Sequence, residues 1–281
     1  MDSDLHIWKI CIFVKRQWVI TPAKYTAPRY QQPKKMRTTA IILFLTFLTC
    51  FSFAQKTECR IYPIDESRND TTIFQFIENM KDVLNAKDTL RLYNLLDENV
   101  VTSFGGAIYG KQGFVEYWNM DKPENSNLWE SMKRIIDLGG VFEIGGVFEA
   151  TIDSLIFQFP YANSNKLFDS IYKKFPAYDF DPHTTLICVK EQVPIYKSPN
   201  NNLENVGYLT YDILAIDYDK TNEEAKNKSA DNWKWLYVYT IDKSLTGWVL
   251  NSDDFYFLGG LKLTIEKVKN EYKITGFFPY D

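Results

Sequence analysis

The sequence of 281 residues changes its hydrophobic period at a pair of glycines, Gly139 and Gly140. Between residues 70 and 138, apolar residues recur every three or four positions, which is the period of helices with one buried face. From Val141 to Phe277, most apolar residues alternate with polar ones, which is the period of half-buried strands. Helices followed by strands predict an α+β protein, with a helix-containing N-terminal domain that includes an antiparallel sheet.

Local signals place the first helices. Asp70, Thr71 or Thr72 can cap one helix, and Asp88 can cap a second. Two more are expected around residues 114–118 and 128–136, and a further short helix between residues 161 and 183. Strands are predicted at residues 100–104, 141–144, 147–152, 155–159, 186–189, 207–209, 213–216, 235–239 and 247–250. The pair Gly145-Gly146 indicates a two-residue β-hairpin between the second and third of these strands.

An apolar run near the start of the chain predicts export. Met36-Arg37 is followed by the apolar run 40–54, with small residues at Ser52 and Ala54 before Gln55. A membrane-spanning helix needs about 20 apolar residues, and this run is shorter. We therefore expect residues 36–54 to be a cleaved signal peptide. The mature protein would be periplasmic or secreted, with no stable membrane insertion.

Two features upstream of Gln55 leave alternatives. Cys50 lies late in the apolar run and could carry a lipid anchor, although a threonine precedes it where lipoproteins usually have a small residue. Residues 1–35 precede the signal peptide, although a signal peptide normally begins at the start of the translated chain. We expect them to be an untranslated upstream extension, with translation beginning at Met36.

The mature part is acidic. Residues 1–54 hold 8 of the 32 Lys and Arg but only 2 of the 36 Asp and Glu, which leaves 24 basic and 34 acidic residues, a net charge of −10. Nucleic acids and anionic bilayers attract basic surfaces. Non-specific binding to either is therefore not expected, and no nucleic-acid partner is predicted.

The mature part is also poor in catalytic and metal-binding residues. Its single histidine, His183, lies in a proline-containing linker without a nucleophile motif, so we interpret it as an exposed linker residue. The carboxylates that could serve a glycosidase, Asp97, Glu98, Asp121 and Glu130, are better explained as solvated side chains. We predict no catalytic residues, no metal site and no cofactor. Cys59 and Cys188 could form one disulfide or remain two thiols.

The region 184–258 resembles a bacterial SH3-like domain in the content and order of its blocks. The blocks are Val193–Tyr196, Ser198-Pro199, Val206–Leu209, Trp235–Val238, Thr246–Val249 and Phe255-Tyr256. The resemblance implies a small β-barrel that binds cell-wall peptides or envelope proteins. The chain departs from the family in residues 219–231, which form a long charged insertion.

Residues 60–160 and the terminal hairpin resemble, more weakly, the nuclear-transport-factor-2-like cone fold. The hairpin consists of residues 261–265 and 272–277 around Lys269-Asn270. The hypothesis is that the barrel is inserted before the final strands of the N-terminal domain, so that residues 259–281 dock on residues 55–183. This resemblance implies an alternative function, a pocket near Tyr109 and Trp118 that performs hydrolysis or isomerisation. A purely structural envelope protein is a third possibility.

Aromatic residues in the barrel are the candidates for a binding site. Alternate residues of the strand 235–239 must face outward, and exposed rings bury much area at little entropic cost. We predict a binding site that consists of Tyr196, Trp235, Tyr237, Trp248 and Tyr256. The competing interpretation is that these rings fill the barrel and the interdomain seam.

Overall fold

The computed structural model describes residues 59–103, 110–145, 154–199, 204–227 and 233–279. Residues 57–281 form one compact unit. Its described part contains six α-helices and twelve strands, which form a five-stranded and a seven-stranded sheet. The α+β class predicted from the sequence is confirmed.

The helices begin and end close to the positions that the sequence predicts. They are α1 (Thr71–Ala86), α2 (Thr89–Leu95), α3 (Gly110–Tyr117), α4 (Leu128–Asp137), α5 (Asn165–Lys174) and α6 (Tyr218–Asn227). The Asp70 carboxylate caps α1 by accepting hydrogen bonds from the backbone N–H groups of Thr72 and Ile73. The Asp88 carboxylate caps α2 in the same way.

The strands follow in chain order. They are β1 (Leu96–Val101), β2 (Val141–Ile144), β3 (Leu155–Phe159), β4 (Thr185–Cys188), β5 (Val193–Tyr196), β6 (Asn205–Leu209), β7 (Ile213–Ile216), β8 (Trp235–Thr240), β9 (Thr246–Leu250), β10 (Phe255–Phe257), β11 (Leu261–Val268) and β12 (Glu271–Pro279).

The five-stranded sheet combines both ends of the compact unit, in the order β1-β12-β11-β3-β2. The terminal hairpin β11–β12 lies in its interior, with β1 parallel to β12 and β3 antiparallel to β11. Helices α1 to α4 pack on one face around the fully buried Trp129, Phe157 and Phe277. The strands between β3 and β11 in sequence form the other sheet. The boundaries that the sequence suggests for the domains stay predictions.

The seven-stranded sheet is antiparallel, in the order β10-β4-β7-β8-β9-β5-β6. Its inner face encloses a separate apolar core that includes Ile195, Leu236 and Val249. Gly247 in β9 has a steric role, because a Cβ there would lie 2.5 Å from the carbonyl oxygen of Tyr196. Only glycine lets β9 approach β5 this closely.

A third apolar cluster joins the two sheets. It packs α5 and Phe180 against one half of the outer face of the seven-stranded sheet, at Ile187 of β4 and Ile213 of β7. Helix α4 adds a polar link, because Arg134 Nη2 donates to the carbonyl oxygen of Phe255 at 2.6 Å and Nη1 lies 3.1 Å from Asp253 Oδ1.

Two local predictions need correction. Strand β1 begins at Leu96 rather than residue 100, so it follows α2 directly. Strand β2 pairs with β3, and the Gly145 N–H donates to Ser154 O. The predicted hairpin at Gly145-Gly146 and its second strand, 147–152, lie outside the described residues and stay predictions. The charged insertion forms α6, because Asp217 O accepts a backbone hydrogen bond from Thr221 and starts a helix before the polar run.

Cys59 and Cys188 are free and buried. The Cys188 N–H donates to Asp212 O, whereas the Cys59 carbonyl accepts from Ile213 N–H. Asp212 C=O and Ile213 N–H belong to one peptide group, and they point to opposite edges of the strand. Cys188 and Cys59 therefore lie on opposite sides of β7. Two strand spacings, about 9.6 Å, exceed the Cα separation of a disulfide. The structure thus has two thiols rather than the disulfide.

None of the helices in the described residues combines the length and the apolar character needed to cross a bilayer.

Candidate functional site

The candidate site is the outer face of the half of the seven-stranded sheet that contains β8, β9, β5 and β6. Alternation in β8 turns Leu236 and Val238 into the inner core and leaves Trp235 and Tyr237 half-buried on the outer face. Half-buried Tyr196 of β5 and Trp248 of β9, which is only 9% exposed, lie on the same face. These four rings, Tyr196, Trp235, Tyr237 and Trp248, are called the aromatic surface below.

Strand register brings the four rings into contact. Tyr237 lies opposite Trp248, which lies opposite Tyr196. The Tyr237 and Trp248 ring centroids are 5.1 Å apart at 76°, and those of Tyr196 and Trp235 are 5.7 Å apart at 87°. Edge-to-face pairs of this kind are stabilising beyond their buried area, by about 0.5–1.5 kcal/mol each. The rings therefore hold one another in place before any ligand binds.

Exposed apolar residues extend the aromatic surface toward the edge of the sheet. Leu250 of β9 is 42% exposed, and Val206 and Tyr208 of β6 are 42% and 54% exposed. Register places Tyr208 opposite Pro194, two residues before Tyr196 on the same face of β5. At about 4.8 Å per strand, the four strands make a surface about 15 Å wide. Contiguous exposed apolar area of this kind marks interaction sites.

Helix α6 supplies the charge at one end of this surface. Lys220 Nζ lies 4.1 Å from the centroid of the Tyr237 ring and 3.7 Å from Asp217 Oδ2. The pKa of Lys220 is raised mainly by its hydrogen bond with the Tyr237 side chain. The negative charge of nearby Asp217 also raises it. The Thr221 hydroxyl fixes the helix by accepting a hydrogen bond from the Tyr237 N–H at 3.0 Å. The sequence pattern indicates only a charged insertion here and does not predict the contact of Lys220 with the Tyr237 ring.

Tyr256 does not belong to the aromatic surface, which corrects the predicted binding set. Phe255 of β10 enters the inner core, so alternation turns Tyr256 to the outer face, where it pairs with Ile187 under the third cluster. The Tyr256 hydroxyl donates to Leu261 O at 3.1 Å and accepts from Asn163 Nδ2 at 3.3 Å. Burial raises the pKa of Tyr256. The residue joins the two sheets and is inaccessible to a ligand.

Polar ring edges give the aromatic surface its hydrogen-bonding capacity. Within the described part of the chain, the indole N–H groups of Trp235 and Trp248 and the Tyr196 hydroxyl make no hydrogen bond. The Tyr237 hydroxyl accepts from the Thr246 hydroxyl at 3.2 Å. A ligand lying across the rings would meet flat apolar area with donors at its borders. This combination suits an extended peptide or glycan.

The residues that could have served catalysis have structural surroundings. His183 is exposed, and its backbone N–H donates to Asp181 Oδ1 at 2.7 Å. Cys188 is fully buried, and burial raises the pKa of its thiol. A buried thiol of raised pKa is a poor nucleophile. Among the described residues, no group of His, Cys, Asp and Glu is arranged to hold a metal ion.

The carboxylates considered for glycoside hydrolysis are engaged singly. Asp97 is buried and accepts from the Asn99 N–H at 2.8 Å. Glu98 lies 2.8 Å from Lys111 Nζ, and hydrogen bonding by that lysine lowers the pKa of Glu98. Glu130 lies 3.9 Å from Lys87 Nζ on the surface of α4. These contacts fit local capping and surface ion pairs.

The interior between helices and the five-stranded sheet was the alternative candidate. Trp118 is 7% exposed there, and its ring centroid lies 4.7 Å from that of Phe277. Trp129 and Phe114 fill the adjacent space. The indole N–H groups of Trp118 and Trp129 are buried without hydrogen-bond partners. Tyr109 lies outside the described residues. Tight ring packing favours a structural role for Trp118.

Comparison with known proteins gives no assignment: no protein-family model, no curated protein and no solved structure matches this chain.

Proposed function

We propose that this protein is an exported, non-catalytic binding protein whose aromatic surface binds an extended peptide of the cell wall. The observation that carries the proposal is the contact of Tyr196, Trp235, Tyr237 and Trp248 on the outer side of the sheet, away from the inner core. Rings that served only to fill the barrel would lie on its inner face.

The sequence resemblance adds to this argument. The blocks that resemble a bacterial SH3-like domain include all four rings, and such domains are binding modules. The surface width of about 15 Å accommodates four or five residues of an extended chain at about 3.3 Å per residue. Aromatic rings supply the apolar contacts for such a chain, and the free indole N–H groups supply donors for its carbonyl oxygens.

The cleaved signal peptide proposed for residues 36–54 would bring this surface to the cell wall. An acidic mature chain avoids non-specific attraction to anionic lipids and nucleic acids. The same compartment also holds envelope proteins, and an extended segment of one of them could bind the aromatic surface through the same contacts. The cell-wall peptide is the ligand that the experiment addresses first.

The test is sedimentation of the mature protein with purified peptidoglycan. We expect Trp235→Ala and Trp248→Ala to lower the bound fraction at least fivefold. Trp235→Ala should unfold at nearly the wild-type temperature, whereas Trp248→Ala should unfold at a lower temperature because Trp248 is only 9% exposed. Trp233→Ala is the matched control, because Trp233 is 40% exposed and packs on Tyr218 instead of the four rings.

Two outcomes would contradict the proposal. One is a lack of binding by the folded wild-type protein. The other is equal binding to glycan strands from which the peptides have been removed, because a glycan would then be the ligand. Binding that Trp233→Ala abolishes and Trp235→Ala leaves intact would place the site outside the aromatic surface.

A further inference from the structure

A second candidate site lies beside α5, at the apolar cluster that joins the two sheets. A cavity of about 350 Å³ opens beside α5 and is closed by Phe180 and Leu258. Its walls come from Asn165, Phe168, Asp169 and Tyr172, which lie on one face of the helix at the spacing i, i+3, i+4 and i+7. This volume suits a small molecule or a single side chain.

Three rings line this cavity. The ring centroids of Tyr172 and Phe180 are 4.9 Å apart at 62°, and those of Phe168 and Phe180 are 6.0 Å apart at 71°. Phe168 and Phe180 are 9% and 5% exposed, whereas Tyr172 is 45% exposed at the opening. These rings give the cavity apolar walls, and a cation within about 6 Å of an aromatic ring face is attracted to it.

Acceptor groups complete the site. The Asp169 carboxylate lines the cavity, and among the described residues no hydrogen bond or ion pair neutralises it. Asn163 is 2% exposed, and its amide nitrogen donates to Tyr256 Oη and Leu258 O at 3.3 Å and 3.2 Å. No donor in the described part of the chain reaches the Asn163 amide oxygen, although the residue lines the cavity. The amide oxygen of the cavity-lining Asn163 is thus available to accept a hydrogen bond from a ligand.

We propose that this cavity binds an alkylammonium group, as carried by a lysine side chain or by a free alkyl amine. The ammonium would contact the ring faces and Asp169, and one of its N–H groups would donate to Asn163 Oδ1. The aliphatic stem would lie against Tyr172 at the opening. A neutral ligand of the same shape forgoes the cation–π and carboxylate contacts, and an anion is repelled by Asp169.

Neighbouring lysines do not occupy the site. Lys166 pairs with Glu66 at 3.3 Å, and Lys173 and Lys174 line an adjoining groove that shares Asn165 and Asp169 with the cavity. The site is separate from the aromatic surface, because none of its lining residues belongs to β5, β6, β8 or β9.

The experiment is a chemical-shift titration of the purified protein with n-pentylammonium, 1-pentanol and pentanoate. We expect n-pentylammonium to bind at least tenfold more tightly than 1-pentanol, with the largest shifts at the backbone amides of Phe168, Tyr172 and Phe180. Pentanoate should cause no saturable shift. A peptide with one central lysine, compared with its norleucine counterpart, then distinguishes a side chain from a free amine as the source of the ammonium.

Variants test the two kinds of contact. Asp169→Asn and Tyr172→Ala should each weaken n-pentylammonium binding five- to tenfold, and Asp169→Asn should leave 1-pentanol binding unchanged. Asp179→Asn, an exposed carboxylate outside the cavity, is the matched control. Both test positions are exposed, so unfolding temperatures should stay within a few degrees of wild type.

The proposal would be overturned by equal affinities for n-pentylammonium and 1-pentanol, or by unchanged binding in Asp169→Asn. It would also be overturned by no saturable shift with n-pentylammonium up to 50 mM, or by shifts confined to the tryptophans of the aromatic surface.

Discussion

The two halves of the outer face of the seven-stranded sheet carry similar residues but have different surroundings. In the half formed by β10, β4 and β7, Tyr256, Ile187 and Ile213 are buried under α5 and its neighbours. In the half formed by β8, β9, β5 and β6, Tyr196, Trp235 and Tyr237 remain half-exposed. Strand alternation is the same in both halves, so the contrast depends on what packs against each.

The half formed by β10, β4 and β7, called the covered half below, should contribute most to stability. Tyr256→Ala removes a buried ring and its two hydrogen bonds, and we expect it to lower the free energy of unfolding by about 3–5 kcal/mol. Tyr256→Phe keeps the ring and should cost about 1 kcal/mol. Urea denaturation measures both. Similar losses for the two variants would show that the hydroxyl, and not the ring, carries the contact.

A side chain at Gly247, where β9 approaches β5, should destabilise the half formed by β8, β9, β5 and β6, called the open half below. Gly247→Ala places a Cβ against the carbonyl oxygen of Tyr196 and should lower stability by about 1–3 kcal/mol. Peptidoglycan binding should fall as well, because Tyr196 would move away from Trp248. Thr246→Ala is the neighbouring control. A Gly247→Ala protein of wild-type stability would contradict the close approach of the two strands.

Alkaline pH should weaken the covered half. Burial raises the pKa of the Cys59 thiol from 9.0 to about 12. The unfolded state loses this proton first, so the stabilisation is complete below pH 9 and is lost as the pH rises toward 12. At pH 10.5 we expect a loss of about 2 kcal/mol from this group. Cys59→Ala should flatten the decline of unfolding free energy between pH 8.5 and 10.5, and an unchanged slope would contradict the assignment.

The open half should tolerate truncation best. Trp235→Ala should cost about 1 kcal/mol in stability, since it removes one edge-to-face contact and a half-exposed ring. The same substitution should cause the largest loss of ligand binding. A loss of stability as large as that of Tyr256→Ala would mean that Trp235 serves packing rather than recognition.

Local chemistry made much of the fold predictable. Asp70, together with Thr71 and Thr72, and Asp88 were candidate caps because their side-chain oxygens can satisfy the free N–H groups of a helix start, and the structure shows Asp70 and Asp88 in this role. The strands with clear alternation, such as β8, lie where the sequence predicts them. The start of β1 was missed because Asp97-Glu98-Asn99 resembles a helix end, although pairing with β12 makes it a strand.

The site was predictable only in part. Four of the five predicted binding residues meet on one face, and alternation in β8 was the signal that identified two of them. Lys220 was missed because its helix had no apolar periodicity, and the cavity beside α5 was missed because Phe180 and Asn163 lie outside the helix. The spacing of Asn165, Phe168, Asp169 and Tyr172 was a usable signal for that helix face.

The sequence by itself determined the fold class, the helix caps and the alternation of side chains along each strand, because these depend on contacts within a few residues. Only the tertiary structure decided which outward ring is covered. Tyr256 is buried because Asn163 and α5 lie over β10, whereas Trp235 of β8 stays half-exposed. Alternation fixes the side of a sheet, but burial depends on partners that are distant in the chain.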